Sequence, residues 1–260
     1  HNVKIAPDSI AKTAFIANDE LLEFTRMPFG LSNAPATFQR MILTALVGLG
    51  EISAAYLDDV LVYASDLPTL LLRMDTVLER IAQAGLKLKP RKCVLPIQEI
   101  TYLGFNVSGR GITPIQAKLD VIRDWPQPVT TKELRGFLGF VNRYFKFYPR
   151  VARVSAPLAR ATSQRPLKWT AELQAAFEAT KNIFQTLNTL AIPSADGQFI
   201  LETDASNIGN GACLLQIDEN GHERPIGYYS KALNSAQQNY PTFKSELFAL
   251  YQSVKHFAVH

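Results

Sequence analysis

Cysteine and histidine are scarce in this chain, and their scarcity argues against whole classes of protein. Among 260 residues there are two cysteines, Cys93 and Cys213, which lie far apart and form no Cys-x-x-Cys pair. A disulfide framework and a structural zinc site are therefore not expected. The four histidines form no cluster of metal-ligand spacing. This usage favours a reducing, intracellular setting.

Long apolar runs are absent as well. No stretch of 18 or more apolar residues occurs, so no membrane span is expected, and no basic-then-apolar leader opens the chain. The apolar fraction is 47%, which is typical of a globular protein, and the length suits two domains with sizeable cores. Because the chain opens in the middle of a pattern at His1–Pro7, we expect a fragment boundary there.

The charge is small overall but unevenly distributed. The net charge is +4, yet the stretch from Arg110 to Arg165 holds 11 lysines and arginines against three acids. A basic segment beside acid-centred sites suits an enzyme that handles a polyanion, because cations contact phosphates and carboxylates hold metal ions. A basic, solvated helix face is the alternative, and charge alone does not exclude it.

An acidic pair stands at the centre of the most informative stretch, Ile52–Tyr63. Two apolar runs of β-branched and aromatic residues flank Asp58 and Asp59, with no Gly or Pro between them. This pattern predicts a β-hairpin with two carboxylates at its tip. Asp also suits turn geometry. The stretch alone therefore leaves two interpretations open, an acidic turn or a metal site.

The first 106 residues alternate strand and helix patterns. Strands are predicted at 13–17 and 22–26, and Pro28 with Gly30 predicts a loop after them. Asn33 and Pro35 predict a helix start, and Gly85 predicts the end of a second helix. The predicted inward faces are Phe38, Met41, Ile42 and Ala45 in the first helix and Leu71, Met74, Leu78 and Ile81 in the second.

The chain from Thr113 to about Thr162 turns helical. Capping-box patterns at Thr113–Gln116 and Thr130–Glu133 predict two helix starts, and a further helix is predicted from Thr170 to about Leu187. The second of these helices combines an apolar stripe with a basic face suited to a nucleic-acid backbone. The stripe is Leu134, Phe137, Leu138, Val141, Tyr144, Phe145 and Tyr148; the basic face is Arg135, Arg143 and Lys146; the last helix presents Leu173, Phe177, Phe184 and Leu187.

A linker at 192–197 is predicted to begin a second domain. Strands are predicted at 199–204, from 209 and at 225–229, followed by a helix that opens at Pro241. Asp204 ends the first strand, and Glu246 falls at the edge of the helix stripe. Strand-end and helix carboxylates together suit a divalent cation, and a surface glutamate is the alternative. The helix stripe is Phe243, Leu247, Leu250, Val254 and Phe257.

Several motifs, in this order, resemble the reverse transcriptase–ribonuclease H polyprotein of gypsy-type LTR retrotransposons. Any one of them is a weak signal, but the series runs nearly end to end. The motifs are Met27–Gln39, the Tyr-Leu-Asp-Asp of Tyr56–Asp59, Gly85–Cys93, Tyr102–Gly104, Asp124–Pro126, Glu133–Gly139, Thr203–Ser206 and Asn239–Leu247.

The resemblance implies an α+β, two-domain fold, in which a right-hand polymerase palm and helical thumb precede a partial ribonuclease H-like α/β domain. It implies the palm with the end of the fingers at 1–107, the thumb and tether at 108–190, and the N-terminal part of the ribonuclease H-like domain at 191–260. The implied activity is RNA-directed DNA synthesis with linked endonuclease cleavage of RNA. The implied partners are an RNA template, a DNA primer, an RNA–DNA hybrid and deoxynucleoside triphosphates, and the implied location is a cytoplasmic virus-like particle.

The resemblance also assigns roles to residues. Asp58 and Asp59 would hold Mg²⁺ at the polymerase site, and Asp204 and Glu246 would hold it at the ribonuclease H site, with two metal ions per site and Mn²⁺ as an alternative. The implied contacts are Pro28, Phe29, Gly30 and Gln39 with the nucleotide and template, and Leu103 and Gly104 with the primer end.

The chain also departs from the family pattern. A third polymerase carboxylate would precede His1, and further ribonuclease H acids would follow His260, so two half-sites and an inactive isolated chain are expected. Phe105 stands where His is common and Asn207 where Asp is usual, and neither change removes a catalytic carboxylate. Two hypotheses stay open: a parent enzyme that copies RNA and degrades the template, or a degenerate or domesticated fragment that binds nucleic acid without catalysis.

Overall fold

The computed structural model describes residues 3–194 and 197–258. His1, His260 and positions 195–196 of the predicted linker lie outside these ranges. The chain divides into two compact units, one up to Ile97 and one from Gln98 on. Within the described ranges, no helix combines the length and apolar character that crossing a membrane requires.

The first unit is built from short antiparallel hairpins and two longer helices. Hairpin β1–β2 and hairpin β3–β4 are each two-stranded. A small core of Ile42, Leu46, Val77 and Ile81 joins the helices to the second hairpin. Its elements are α1 Pro7–Ile10, β1 Phe15–Ala17, β2 Glu20–Leu22, α2 Ala34–Ala45, β3 Ser53–Tyr56, β4 Asp59–Val62 and α3 Leu67–Gln83.

Two predictions for the first unit were wrong in detail. The strand predicted at 22–26 lies at Glu20–Leu22, because Asn18 and Asp19 adopt left-handed conformations that turn the chain earlier and pair Ala17 with Glu20. Helix α3 buries Val77 and Ile81, whereas Leu71 and Leu78 are exposed. Leucines line more than one side of α3, so its periodicity alone did not identify the packed face.

The helix boundaries in this unit are largely as predicted. Pro35 lies in the first turn of α2, although the side chain of Asn33 at the N-cap makes no capping hydrogen bond. Gly85 ends α3 in a left-handed conformation with φ of +70°. The N–H of Leu86 then bonds back to the carbonyl of Ile81, which satisfies a helix-end acceptor.

The second unit combines two antiparallel sheets with a group of helices. Strands β5, β6 and β7 form one sheet, and β8, β9 and β10 form the other with β9 in the centre. The elements are β5 Glu99–Tyr102, β6 Phe105–Ser108, β7 Gly111–Pro114, α4 Gln116–Arg123, α5 Thr131–Asn142, α6 Val151–Val154, α7 Ala156–Ala161, α8 Ala171–Ile183, β8 Phe199–Ala205, β9 Gly209–Ile217, β10 Glu223–Ala232 and α9 Thr242–Phe257.

The helices of this unit enclose a core rich in aromatic side chains. Phe137 packs against Phe177 at 4.8 Å and against Trp125 at 5.7 Å between ring centroids, and Tyr148 packs against Phe184 at 4.8 Å. The burial predicted for the α5 stripe is confirmed, since its members are buried in this core or packed against it, but the helix ends at Asn142 and Tyr144, Phe145 and Tyr148 lie beyond it. The aromatic residues of the stripe therefore serve packing, as predicted, and not base stacking.

The helix starts were predicted with mixed success. Thr130 caps α5 as predicted, and its hydroxyl accepts from the N–H of Glu133 at 3.2 Å. Thr113 does not cap α4, because it lies in β7 paired with Asn106, and α4 begins only at Gln116. The predicted helix to Leu187 ends at Ile183, and Leu187 is exposed.

Hydrogen bonds and packing join the helical core of the second unit to its C-terminal sheet. The N–H of Ala191 donates to the carbonyl of Pro225 at 2.7 Å, and the N–H of Ala152 donates to Oγ of Ser230 at 3.2 Å. Tyr228 of β10 packs against the helical core. The boundaries at 107 and 190, which separate the palm, the thumb and the ribonuclease H-like part, come from the family resemblance and stay a prediction.

Helix α9 packs on the sheet mostly by a different face from the predicted one, and of the predicted stripe Phe257 alone is buried. Its buried residues are Ala249, Ser253 and Phe257. Phe243 is 81% exposed, and Leu247 is also exposed. Small side chains at Ala249 and Ser253 let the helix approach the sheet closely. The packing gained in this way outweighs the burial that the larger apolar residues of the predicted stripe would have provided.

Candidate active sites

Asp58 and Asp59 lie at the tip of a hairpin with a two-residue turn, as predicted. Strands β3 and β4 pair with Tyr56 opposite Asp59, so Leu57 and Asp58 form the turn. Leu57 has φ of +51°, a left-handed conformation that suits the right-handed twist of the strands but is costly for leucine. The turn therefore needs support from its surroundings.

Gln39 of α2 supplies that support. Its side-chain amide donates from Nε2 to the carbonyl of Ala55 at 3.0 Å, and its Oε1 accepts from the N–H of Leu57 at 2.5 Å. One partly buried side chain thus bonds the backbone on both sides of Tyr56. The motif that contains Gln39 and the motif that contains Asp58 are adjacent in the fold because of this contact.

Both carboxylates of the hairpin are accessible. Asp58 and Asp59 are exposed. Adjacent carboxylates that point to solvent offer the hard oxygen ligands that Mg²⁺ prefers, so the residues present fit a divalent cation. Among the described residues, no group of three or more His, Cys, Asp or Glu side chains has the geometry of a metal site.

The Pro28–Gly30 loop presents an exposed aromatic ring. The N–H of Met27 donates to the carbonyl of Val3 at 2.9 Å, which fixes the start of the loop. Gly30 has φ of +93°, a conformation in which an L side chain would be strained. Phe29 is 89% exposed. The structure thus places Phe29 on the surface of the first unit, and its contact with a nucleotide stays a prediction.

The Leu103–Gly104 turn connects β5 to β6 and contacts Arg143. The sequence had assigned Arg143 to a basic helix face and to no specific contact. Nη2 of Arg143 donates to the carbonyl of Leu103 at 2.6 Å. The lone signal in the sequence was that Arg143 sits on the polar side of the α5 stripe. Its partner lies 40 residues away, so no local pattern indicates the contact.

Asp204 and Glu246 lie on neighbouring elements. Asp204 pairs with Gly211 near the end of β8, and α9 packs against β8. Glu246 precedes Ala249 and Ser253 by three and seven residues, so it shares the sheet-facing side of α9. Leu201 packs under α9, and strand alternation turns Asp204 to the opposite face. The register therefore does not by itself place the two carboxylates on one face, and their pairing stays a prediction.

Two family models match this chain in separate segments. Residues 1–107 match the reverse transcriptase (RNA-dependent DNA polymerase) family, and residues 169–260 match the RNase H-like domain found in reverse transcriptase. The matches define the class: a reverse transcriptase segment followed by an RNase H-like segment. Both families generally depend on divalent metal ions.

Curated relatives align with nearly the whole chain. It is 37% identical to the retrovirus-related Pol polyprotein from transposon 297 of Drosophila melanogaster, over 99% of this chain and 24% of the relative. Identity is 34% to the Pol polyprotein from transposon opus, over 98% of this chain and 26% of that relative. The Tf2-3 transposon polyprotein of Schizosaccharomyces pombe is 32% identical over 99% of this chain and 19% of its own length.

The chain is therefore similar to the Pol polyproteins of gypsy-type retrotransposons, as the sequence resemblance predicted. It spans about a quarter of the length of the curated relatives that it matches first.

Solved structures support the fold class. The chain matches a foamy viral protease-reverse transcriptase in complex with double-stranded DNA at a TM-score of 0.85 and 23% identity, over 97% of this chain and 44% of that one. A second structure of that viral protein, in complex with an RNA/DNA hybrid, matches at a TM-score of 0.84. The match covers 97% of this chain and 34% of that one. At this identity the likeness shows the fold alone, and it confirms the predicted α+β architecture with palm, thumb and RNase H-like parts.

Proposed function

We propose that the protein carrying this chain is an RNA-directed DNA polymerase with linked ribonuclease H activity. The observation that carries the proposal is the Asp58–Asp59 hairpin tip, exposed and held by the amide of Gln39. This brace fixes the backbone that carries both carboxylates, and a fixed backbone is what a metal site at the hairpin tip requires. The family matches support the same conclusion.

The hairpin carboxylates have a defined task in this proposal. Asp58 and Asp59 would hold divalent Mg²⁺, or Mn²⁺ in its place, which when bound activates the primer 3′-hydroxyl and stabilises the leaving pyrophosphate. The protein contributes a fixed position for both carboxylates. Gln39 sets that position through the backbone of Ala55 and Leu57, so the carboxylates need little reorganisation when the substrates bind.

The remaining predicted contacts are with the incoming nucleotide, the template and the primer. Phe29, with Pro28 and Gly30, would lie beside the incoming nucleotide and template, and Gln39 would lie next to them. Leu103 and Gly104 would support the primer end. The basic segment from Arg110 to Arg165 would contact the phosphates of the template and primer, as the thumb of the polymerase.

The second pair of carboxylates would serve RNA removal. Asp204 and Glu246 would contribute to a metal site that directs water onto a phosphodiester of the RNA strand in an RNA–DNA hybrid. The structures that this fold resembles include one with an RNA/DNA hybrid bound, which supports such a substrate. The reactions would take place in a cytoplasmic virus-like particle of the element, with the palm at 1–107, the thumb at 108–190 and the RNase H-like part at 191–260.

The proposal is tested by primer extension in a Pol polyprotein of full relative length that carries this sequence. Asp58→Asn keeps the shape of the turn but removes a metal-binding charge, so DNA synthesis should fall by roughly 10³-fold or more. Asp75→Asn on α3 is the matched control and should extend primers like the wild type. A wild-type protein that binds the template-primer but adds no nucleotide would instead support the alternative, a nucleic-acid-binding relic.

A further inference from the structure

The turn between β5 and β6 has a conformation that its own residues do not favour. Tyr102 pairs with Phe105, so Leu103 and Gly104 are the two turn residues. Their φ values are +50° and +81°. A two-residue hairpin with both residues left-handed is a type I′ turn, for which Asn-Gly is preferred. Leucine at the first position is costly, so the turn depends on contacts from outside the hairpin.

Arg143, which follows the last residue of α5, makes such a contact. Its Nη2 donates to the carbonyl of Leu103 at 2.6 Å, a short, charge-assisted bond. The same nitrogen would lie 3.0 Å from a side-chain carbon placed on Gly104. The guanidinium therefore lies over the turn and bonds its first residue, and it would have to shift by a few tenths of an ångström if the second residue carried a side chain.

Aromatic rings hold the guanidinium in place. The guanidinium carbon of Arg143 lies 5.3 Å from the centroid of the Phe105 ring, which stacks on Phe147 at 5.4 Å. The Lys146 ammonium lies 4.7 Å from the same Phe105 centroid. Desolvation there, and then the nearby charge of Arg143, lowers the pKa of Lys146. The turn, the arginine and the core of the helical segment thus form one connected unit.

We propose that Arg143 is a positioning residue for the primer end, because it holds the Leu103–Gly104 turn in its left-handed conformation. This inference rests on the proposed function, in which that turn supports the primer terminus. Arg143 acts through the turn, so its loss should misplace the primer 3′-hydroxyl more than it weakens binding of the template-primer.

The first test uses the 260-residue chain and does not depend on activity. Amide hydrogen exchange is measured at residues 102–105 in the wild type and in Arg143→Met, which keeps the length of the side chain but has no donor. Exchange in the turn should accelerate by about tenfold or more, as expected when a local opening loses a hydrogen bond that opposes it. Unchanged exchange at these residues would overturn the inference.

The second test measures primer extension in a full-length Pol polyprotein carrying the same substitution. Arg143→Met should lower kcat by about tenfold while the Kd for the template-primer stays within about twofold, because a misplaced reacting group costs rate more than affinity. Arg143→Lys should recover part of the loss, since its ammonium also donates. Arg80→Met, which removes an arginine bonded to the Val47 carbonyl at 3.3 Å, is the matched control and should leave kcat unchanged.

The outcomes separate this inference from the proposed function. If the wild type extends primers but Arg143→Met does so equally well, or loses only affinity, the positioning role is wrong and the polymerase assignment stands. The same holds if Lys and Met are equally impaired and both lose thermal stability. If the wild type extends no primer, the proposed function fails, and this inference fails with it.

Discussion

At the scale of single residues, the Asp58–Asp59 hairpin depends on an amide outside its own motif. Gln39 donates to the carbonyl of Ala55 and accepts from the N–H of Leu57, and Leu57 adopts a left-handed conformation. The sequence assigned Gln39 to the nucleotide and template. The contacts show a structural duty for its amide, and the role beside the nucleotide stays a proposal.

We expect Gln39→Leu to destabilise the first unit by about 1–2 kcal/mol, because it leaves a partly buried carbonyl and N–H without their partner. Urea unfolding of the 260-residue chain measures the change. The matched control is Gln83→Leu on α3, whose amide bonds only the exposed Glu79, and which should cost less than about 0.5 kcal/mol. If both variants lost the same free energy of unfolding, the hydrogen bonds of Gln39 would not stabilise the hairpin.

At the scale of elements, the sequence predicted the capping of α5 correctly. The Thr130–Glu133 pattern gave the start of α5, and Oε2 of Glu133 accepts from the N–H of Val129 at 2.9 Å. Local patterns of this kind involve residues within one turn. The failures, such as the outward stripe of α9 and the strand at Thr113, arose where pairing with distant residues decided the outcome.

The charge of Glu133 should make α5 sensitive to acid. Hydrogen bonds, led by the one from Val129, lower the pKa of Glu133 below its ordinary value of 4.5. A lowered folded-state pKa means that the stabilisation is present above the ordinary value and is lost as pH falls through the folded pKa. The stability difference between wild type and Glu133→Gln should therefore be largest near neutral pH and should vanish in strong acid.

Thermal unfolding across a pH series measures this effect. Glu178→Gln on α8 is the control, because it removes one acid without touching a helix start, and the prediction concerns the excess loss in Glu133→Gln over that control. A difference that stays constant down to strongly acidic pH would rule out the carboxylate as the cap.

The candidate sites were predictable to different degrees. Asp58 and Asp59 were found from the two runs of apolar residues that flank them, and the structure places them at a hairpin tip as predicted. Gln39 and Arg143 were named in the sequence, but their contacts were not, because each reaches a backbone group 16 or more residues away. The pairing of Asp204 with Glu246 stays open, since the register of β8 turns Asp204 away from the face under α9.

At the scale of the whole molecule, the helical core and the C-terminal sheet should unfold together. Tyr228 of β10 packs against the helical core, and burial raises the pKa of its hydroxyl above the ordinary value. Tyr228→Ala should cost about 2 kcal/mol and should speed amide exchange in α5 and α8 as well as in β10. Phe243→Ala, at a position of α9 that is 81% exposed, is the control and should leave exchange unchanged. Faster exchange confined to β9 and β10 would contradict a shared unit.

The account rests most directly on two separate carboxylate sites in one protein. A single reaction tests them: a full-length Pol polyprotein acts on an RNA–DNA hybrid with the DNA primer and the RNA strand labelled differently. We predict that Asp58→Asn abolishes primer extension and spares RNA cleavage, and that Asp204→Asn does the reverse. If either substitution abolished both activities in a folded protein, or if neither affected its assigned activity, the two-site account would be wrong.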